Sequence, residues 1–152
     1  VAGGHVVGLS RHDDTFVDLT TRSRLANSFD TDLFISLHFN SVTNPQADGY
    51  EVWTSPGQTL SDAFASLLFP CLGSVCPGPG RKDVSDGDVD KESKFSVLIK
   101  TWAPAVLVEF GFLSHAETER EFMKIGTAEK LAMGVAHGIV LWMKEGAHHA
   151  HS

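Results

Sequence analysis

Two short apolar runs constrain this chain more than anything else in it. One is Leu33-Phe34-Ile35-Ser36-Leu37-His38-Phe39-Asn40; the other is Ala105-Val106-Leu107-Val108-Glu109-Phe110-Gly111-Phe112. Such runs are too short for a typical helix and rich in strand formers, so they read as buried strands. The first reads as a central strand covered on both faces. Each run carries one titratable side chain towards its end, His38 in the first and Glu109 in the second. An ionised carboxylate in an apolar run is costly unless it is paired, bound to a metal or working as an acid or base. Two such strands suggest an active site at the strand tips.

The remaining segments alternate in type. Residues 5–10 read as a short strand, followed by the polar loop Arg11-His12-Asp13-Asp14. Residues 18–29 carry a partial helical stripe at Leu19, Leu25 and Ala26, and residues 50–54 alternate as a strand does. A helix is expected from Leu60 to Leu68 behind the N-cap Thr59. Residues 71–92 are irregular and rich in Pro and Gly, which precludes a long helix there. Residues 95–99 form a short apolar segment. Ser114 is expected to cap a helix starting near His115. Thr127 opens a last helix marked by Leu131, Val135, Ile139 and Trp142.

This alternation predicts an α/β fold, a three-layer sandwich with a mainly parallel central sheet flanked by helices. In such folds the functional groups gather outside the carboxyl ends of the strands. Residues 1–145 are read as one domain and residues 146–152 as a disordered, His-containing tail.

Composition narrows the function. The chain has 152 residues, 42% of them hydrophobic, which suffices for one packed domain. Its net charge of -7 argues against a nucleic-acid partner and against anionic lipid. No apolar run approaches the ~20 residues that span a bilayer.

Several polar groups carry alternatives. Cys71 and Cys76 are close enough in sequence for a small disulfide loop, or are two free thiols, one buried and one in a loop. Asp83, Asp86, Asp88 and Asp90 invite a calcium-loop reading. They lack the EF-hand spacing of Gly and terminal Glu, so a solvated acidic loop is expected instead. His38 is either a metal ligand or a hydrogen-bonded core histidine. Glu109 is either a general base and acid or one half of a buried ion pair with Arg22, Arg81 or Lys94.

Five blocks of sequence then point to a family. They are residues 9–19, residues 22–27, residues 32–41, Gly49-Tyr50-Glu51-Val52, and Phe95-Ser96-Val97-Leu98 with residues 104–114. In this order they resemble the zinc-dependent N-acetylmuramoyl-L-alanine amidases of the Amidase_3 class, over nearly the whole chain. The resemblance implies hydrolysis of the amide between N-acetylmuramic acid and L-alanine in peptidoglycan. It implies a Zn2+ cofactor held by two histidines and a glutamate. His38 matches the second of those histidines, and Glu109 matches the catalytic glutamate. It also implies a periplasmic, secreted or cell-wall setting, or that of a phage lysin.

One departure matters. In the family the first histidine and the ligand glutamate precede the strand matched by residues 5–10, and this chain begins at that strand with Val1. The complete protein is therefore expected to have residues upstream. His12, Asp13 and Asp14 are a weaker source of ligands. Asn40 is a candidate for orienting a ligand or touching substrate, or for stabilising a turn. Arg81 and Lys94 are candidates for the peptide-stem carboxylates, and Trp53 and Trp102 for a glycan groove. Two other readings stay open: an amidase-like domain that binds cell wall or a partner without cutting, and a zinc exopeptidase of related fold.

Overall fold

The computed structural model describes residues 5–146. Its four strands are β1 (Phe34–Asn40), β2 (Glu51–Thr54), β3 (Lys91–Glu92) and β4 (Ala105–Phe112), in the sheet order β1-β4-β2-β3. β1 runs parallel to β4 and β2 parallel to β3, whereas β2 and β4 are antiparallel. Two of the three pairings are parallel, and helices cover both faces, as the alternating pattern predicts.

Alternation along β4 divides the core. Val106, Val108 and Phe110 point to the side where α2 (Leu60–Gly73) and α5 (Thr127–Lys144) pack together, with Phe64, Leu68, Leu131, Val135 and Trp142. Ala105 and Leu107 point to the other side, against Val97 and Leu98 of α3 (Ser96–Lys100), beside which α1 (Leu19–Ser28) lies. Glu109 has the parity of Leu107 and so faces the α1/α3 side. α4 (Ala116–Phe122) connects β4 to α5.

Local chemistry explains the helix limits. Asp18 caps α1 by accepting from the Thr21 N–H. Thr59 and Asp62 form a reciprocal capping box at the start of α2. α2 then runs through Pro70 to Gly73, further than the proline suggests. Pro70 has no N–H to give and so leaves only the Ser66 carbonyl, one turn earlier, without its helical donor.

Three expectations need correction. Residues 5–10 form no strand: Val6 is 98% exposed and the segment joins no ladder among the described residues, so strand propensity there has nothing to pair with. β1 is not central but lies at the sheet's edge among the described residues, with Leu37 and Phe39 about half exposed. The cap of α4 is His115, whose ring accepts from the Thr118 N–H; Ser114 instead accepts from the Val42 N–H. The segment from Phe95 forms the short helix α3, and the brief strand β3 lies within the stretch read as irregular. Cys71 and Cys76 are both free thiols, the first buried in α2.

Candidate active site

Three titratable groups lie in one row across adjacent strands. His38 of β1 is in register with Glu109 of β4, and Glu109 in turn with Glu51 of β2. Residues in register point to the same face of a sheet, with strands about 4.8 Å apart. The row is therefore imidazole, carboxylate, carboxylate, on the α1/α3 side.

Glu51 is almost fully buried, at 2% exposure. Its Oε1 accepts from Arg81 Nε at 2.7 Å and from Lys91 Nζ at 2.8 Å, and its Oε2 accepts from Trp53 Nε1 at 3.0 Å. Burial alone would raise its pKa, but the hydrogen bonds from Lys91 and Arg81 outweigh burial and hold it below the usual carboxylate range. Glu51 is thus a fixed negative charge.

Glu109 has the opposite environment. Its Oε2 is buried without a hydrogen-bond partner, and no Lys or Arg pairs with it among the described residues. Arg81, an expected partner, is taken by Glu51. Burial, and after it the Glu51 charge, push Glu109 up to about 7. A carboxyl poised there exchanges a proton readily at neutral pH, which suits a general base that next serves as an acid.

His38 is half-buried, and its Nε2 lies 2.8 Å from Ser36 Oγ on the same face of β1. Burial first, then the Arg22 and Arg11 charges, lower its pKa, so the ring is neutral at pH 7. Neutral imidazole is the form that binds metal.

The other expected residues are placed less closely. Asn40 Oδ1 accepts from the Ser41 N–H at 2.8 Å, and the Asn40 carbonyl accepts from the Leu113 N–H, a turn-stabilising arrangement just past a register shift. Arg81 reaches the row through Glu51 and lies over the Phe112 ring. Lys94 is exposed. Trp53 packs against Phe95 and Lys91 beside the row, whereas Trp102, 82% exposed, stands near the start of β4, away from Glu109. His12, Asp13 and Asp14 are exposed in their loop. A concavity of about 370 Å³ lined by Asp48, Pro77, His115, Glu117, Thr118 and Glu121 includes neither His38 nor Glu109.

Two residues were not singled out from the sequence. Glu51 sets the charge beside Glu109, and Ser36 orients His38. The signal for Glu51 was a carboxylate in the alternating run Tyr50-Glu51-Val52-Trp53, of the same kind that drew attention to Glu109.

The α/β sheet thus sets a half-buried imidazole and a carboxyl of raised pKa at adjacent strand positions. The chain belongs to the Amidase_3 family, N-acetylmuramoyl-L-alanine amidase, whose model matches residues 1–140. It is 27% identical to the N-acetylmuramoyl-L-alanine amidase AmiA of Salmonella typhimurium, over 87% of this chain and 59% of that protein. It is 30% identical to the endolysin of Bacillus phage SPP1, over 88% of this chain and 48% of that protein. The catalytic domain of CwlV, an N-acetylmuramoyl-L-alanine amidase from Bacillus (Paenibacillus) polymyxa var. colistinus, superposes with a TM-score of 0.82 at 29% identity, covering 91% of this chain and 73% of that one. The chain thus spans about half to three-fifths of the length of these two curated relatives.

A catalytic zinc centre needs three protein ligands and an open position. Among the described residues no further His, Cys, Asp or Glu gathers with His38 and Glu109 into a group of three tight enough to hold an ion. These residues supply one ligand, so by themselves they do not fit a complete zinc centre.

Proposed function

We propose that this chain is the catalytic part of a peptidoglycan amidase, cleaving the amide between the lactyl group of N-acetylmuramic acid and L-alanine. The observation that carries the reading is the unpartnered buried Oε2 of Glu109, on a carboxyl poised at about 7 and in register with the neutral His38. In this reading Glu109 takes a proton from the attacking water and gives it to the departing alanine nitrogen. Burial, with the Glu51 charge after it, keeps Glu109 able to hold that proton at neutral pH. His38, neutral and oriented by Ser36, is the residue here suited to bind Zn2+, the expected cofactor. Arg81, still 41% exposed at its side chain, is placed for a peptide-stem carboxylate, and Asn40 and Lys94 are further contacts to test. The substrate lies outside the cytoplasm, so the protein would act in the periplasm, at the cell wall or as a lysin.

The test is release of N-terminal L-alanine from purified peptidoglycan by the wild-type chain and by Glu109→Gln. Zinc-dependent release by the wild type, lost in a folded variant, is the expected result. Release that persists in Glu109→Gln would remove Glu109 from the chemistry. One observation favours a second reading, an amidase-like domain that binds cell wall without cutting: the row offers a single metal ligand. A folded wild-type chain that sediments with peptidoglycan yet releases nothing would support it.

A further inference from the structure

At the opposite end of β4 from Glu109, three carboxylates converge that the amidase reading does not use. Asp62 comes from the first turn of α2, and Asp88 and Asp90 from the loop leading into β3. Each offers an oxygen lying within 4.8 Å of those offered by the other two. Ser61, next to Asp62, accepts from the Ala105 N–H and so ties this corner to the start of β4.

Proximity of acidic groups is not a site in itself; their hydrogen bonding makes the case. Each carboxylate has its Oδ2 held by a donor. Thr59 N–H donates to Asp62, Gln58 Nε2 to Asp88 at 3.2 Å, and Thr54 Oγ1 to Asp90 at 2.6 Å. Each has its Oδ1 buried with no partner. Asp90 is 1% exposed and Asp62 5% exposed. No Lys or Arg pairs with any of them among the described residues, and the adjacent Lys91 is committed to Glu51. Buried polar groups in native proteins are normally satisfied, and buried charges are paired or bound to a metal. Three converging carboxylates with three unsatisfied buried oxygens form a negatively charged pocket suited to a cation.

We propose that Asp62, Asp88 and Asp90 form a calcium site that fastens the loop before β3 to the N-terminus of α2. All-oxygen, carboxylate-rich donors select a hard divalent ion. Calcium binds oxygen at roughly 2.3–2.6 Å, so oxygens on opposite sides of it are about 5 Å apart, whereas magnesium demands a tighter octahedron at about 2.0–2.1 Å. Magnesium usually keeps most of its waters and takes about one or two carboxylates, whereas calcium accepts about six to eight oxygens, so three converging carboxylates favour calcium. Loop carbonyls and water would complete its shell. This corrects the expectation of a solvated acidic loop: Asp83 and Asp86 are exposed, but Asp88 and Asp90 turn inward to meet a residue far away in sequence.

The experiment is calcium titration of the chelator-treated chain by calorimetry, with melting followed in calcium and in EDTA. Imidazole is a poor calcium ligand, so His38 and the C-terminal histidines do not compete. One equivalent of calcium is expected to bind and to raise the melting temperature, with magnesium binding more weakly. Asp88→Asn, at a half-buried loop position, is expected to weaken calcium binding by about tenfold or more, since affinity follows the number of ligand charges. Asp90→Asn should do the same, and Asp88→Asn carries the test if Asp90→Asn fails to fold. The absence of both binding heat and a melting shift at millimolar calcium would overturn the proposal. So would undiminished binding by Asp88→Asn, or preference for magnesium.

Discussion

Glu51 and Glu109 face each other in register across antiparallel strands, and only Glu51 has partners for its charge. The Glu51 charge is held in place by Arg81 and Lys91, and it opposes ionisation of Glu109. Glu51→Gln removes that charge and frees two cations nearby. Both changes favour ionised Glu109, while burial continues to oppose it. The Glu109 pKa is therefore expected to fall below its value of about 7. Carbon-detected NMR titration of the Glu109 carboxyl checks this, and an unchanged or higher midpoint would refute the coupling.

Glu109 also carries a stability cost with a defined pH window. Its folded pKa, about 7, exceeds the ordinary 4.5. Between those values the folded protein keeps a proton that the unfolded chain has released, so stability falls as pH rises through the window. Above it the penalty is constant, at most on the order of 3 kcal/mol. Glu109→Gln is expected to melt higher than wild type at pH 8 in chelator, with the gap closing below pH 4.5. Under the proposed mechanism the same variant loses about a hundredfold to ten-thousandfold in hydrolysis. A variant that is less stable at pH 8 would mean that Glu109 has a stabilising partner.

Ser36 Oγ, 2.8 Å from His38 Nε2, fixes the orientation of the ring. Groups that orient a metal ligand commonly contribute about 10- to 100-fold in metal affinity. Ser36→Ala is expected to weaken zinc binding within that range, and His38→Ala to weaken it more. Both need a chain without the C-terminal histidines, measured by competition with a chromogenic chelator. Equal zinc affinity in wild type and His38→Ala would exclude His38 as a ligand.

Phe64 is fully buried, with its ring edge-on to Trp142 at 5.6 Å between centroids. It joins α2 to α5 on the face of the sheet away from Glu109. Phe64→Ala is expected to cost about 3–5 kcal/mol in denaturant unfolding. A loss below about 1 kcal/mol would mean that the α2/α5 layer is not the main core.

The parts legible in the sequence were those encoded locally. The two apolar runs marked β1 and β4, and Thr59 marked the start of α2. Glu109 stood out because its neighbours are apolar. What escaped depends on pairing between distant segments. The segment at residues 5–10 has strand-forming residues, but a strand exists only with a neighbour. Glu51 looked like one polar position in an alternating strand, and its role emerged only from its register with Glu109. Asp88 and Asp90 looked like a solvated loop because Asp62, which they meet, belongs to a distant helix.

The two chemical groups are anchored unequally. Glu109 stands on β4, hydrogen-bonded to strands on both sides, whereas His38 stands on β1, which has a neighbour on one side only among the described residues. Edge strands open locally at lower free energy than interior ones. The carboxyl proposed to carry the proton is thus set in the interior of the sheet and the imidazole proposed to bind metal at its margin. Slackening of β1 would lengthen the reach between them before it disturbed anything else, and the amides of β1 would exchange with deuterium well before those of β4.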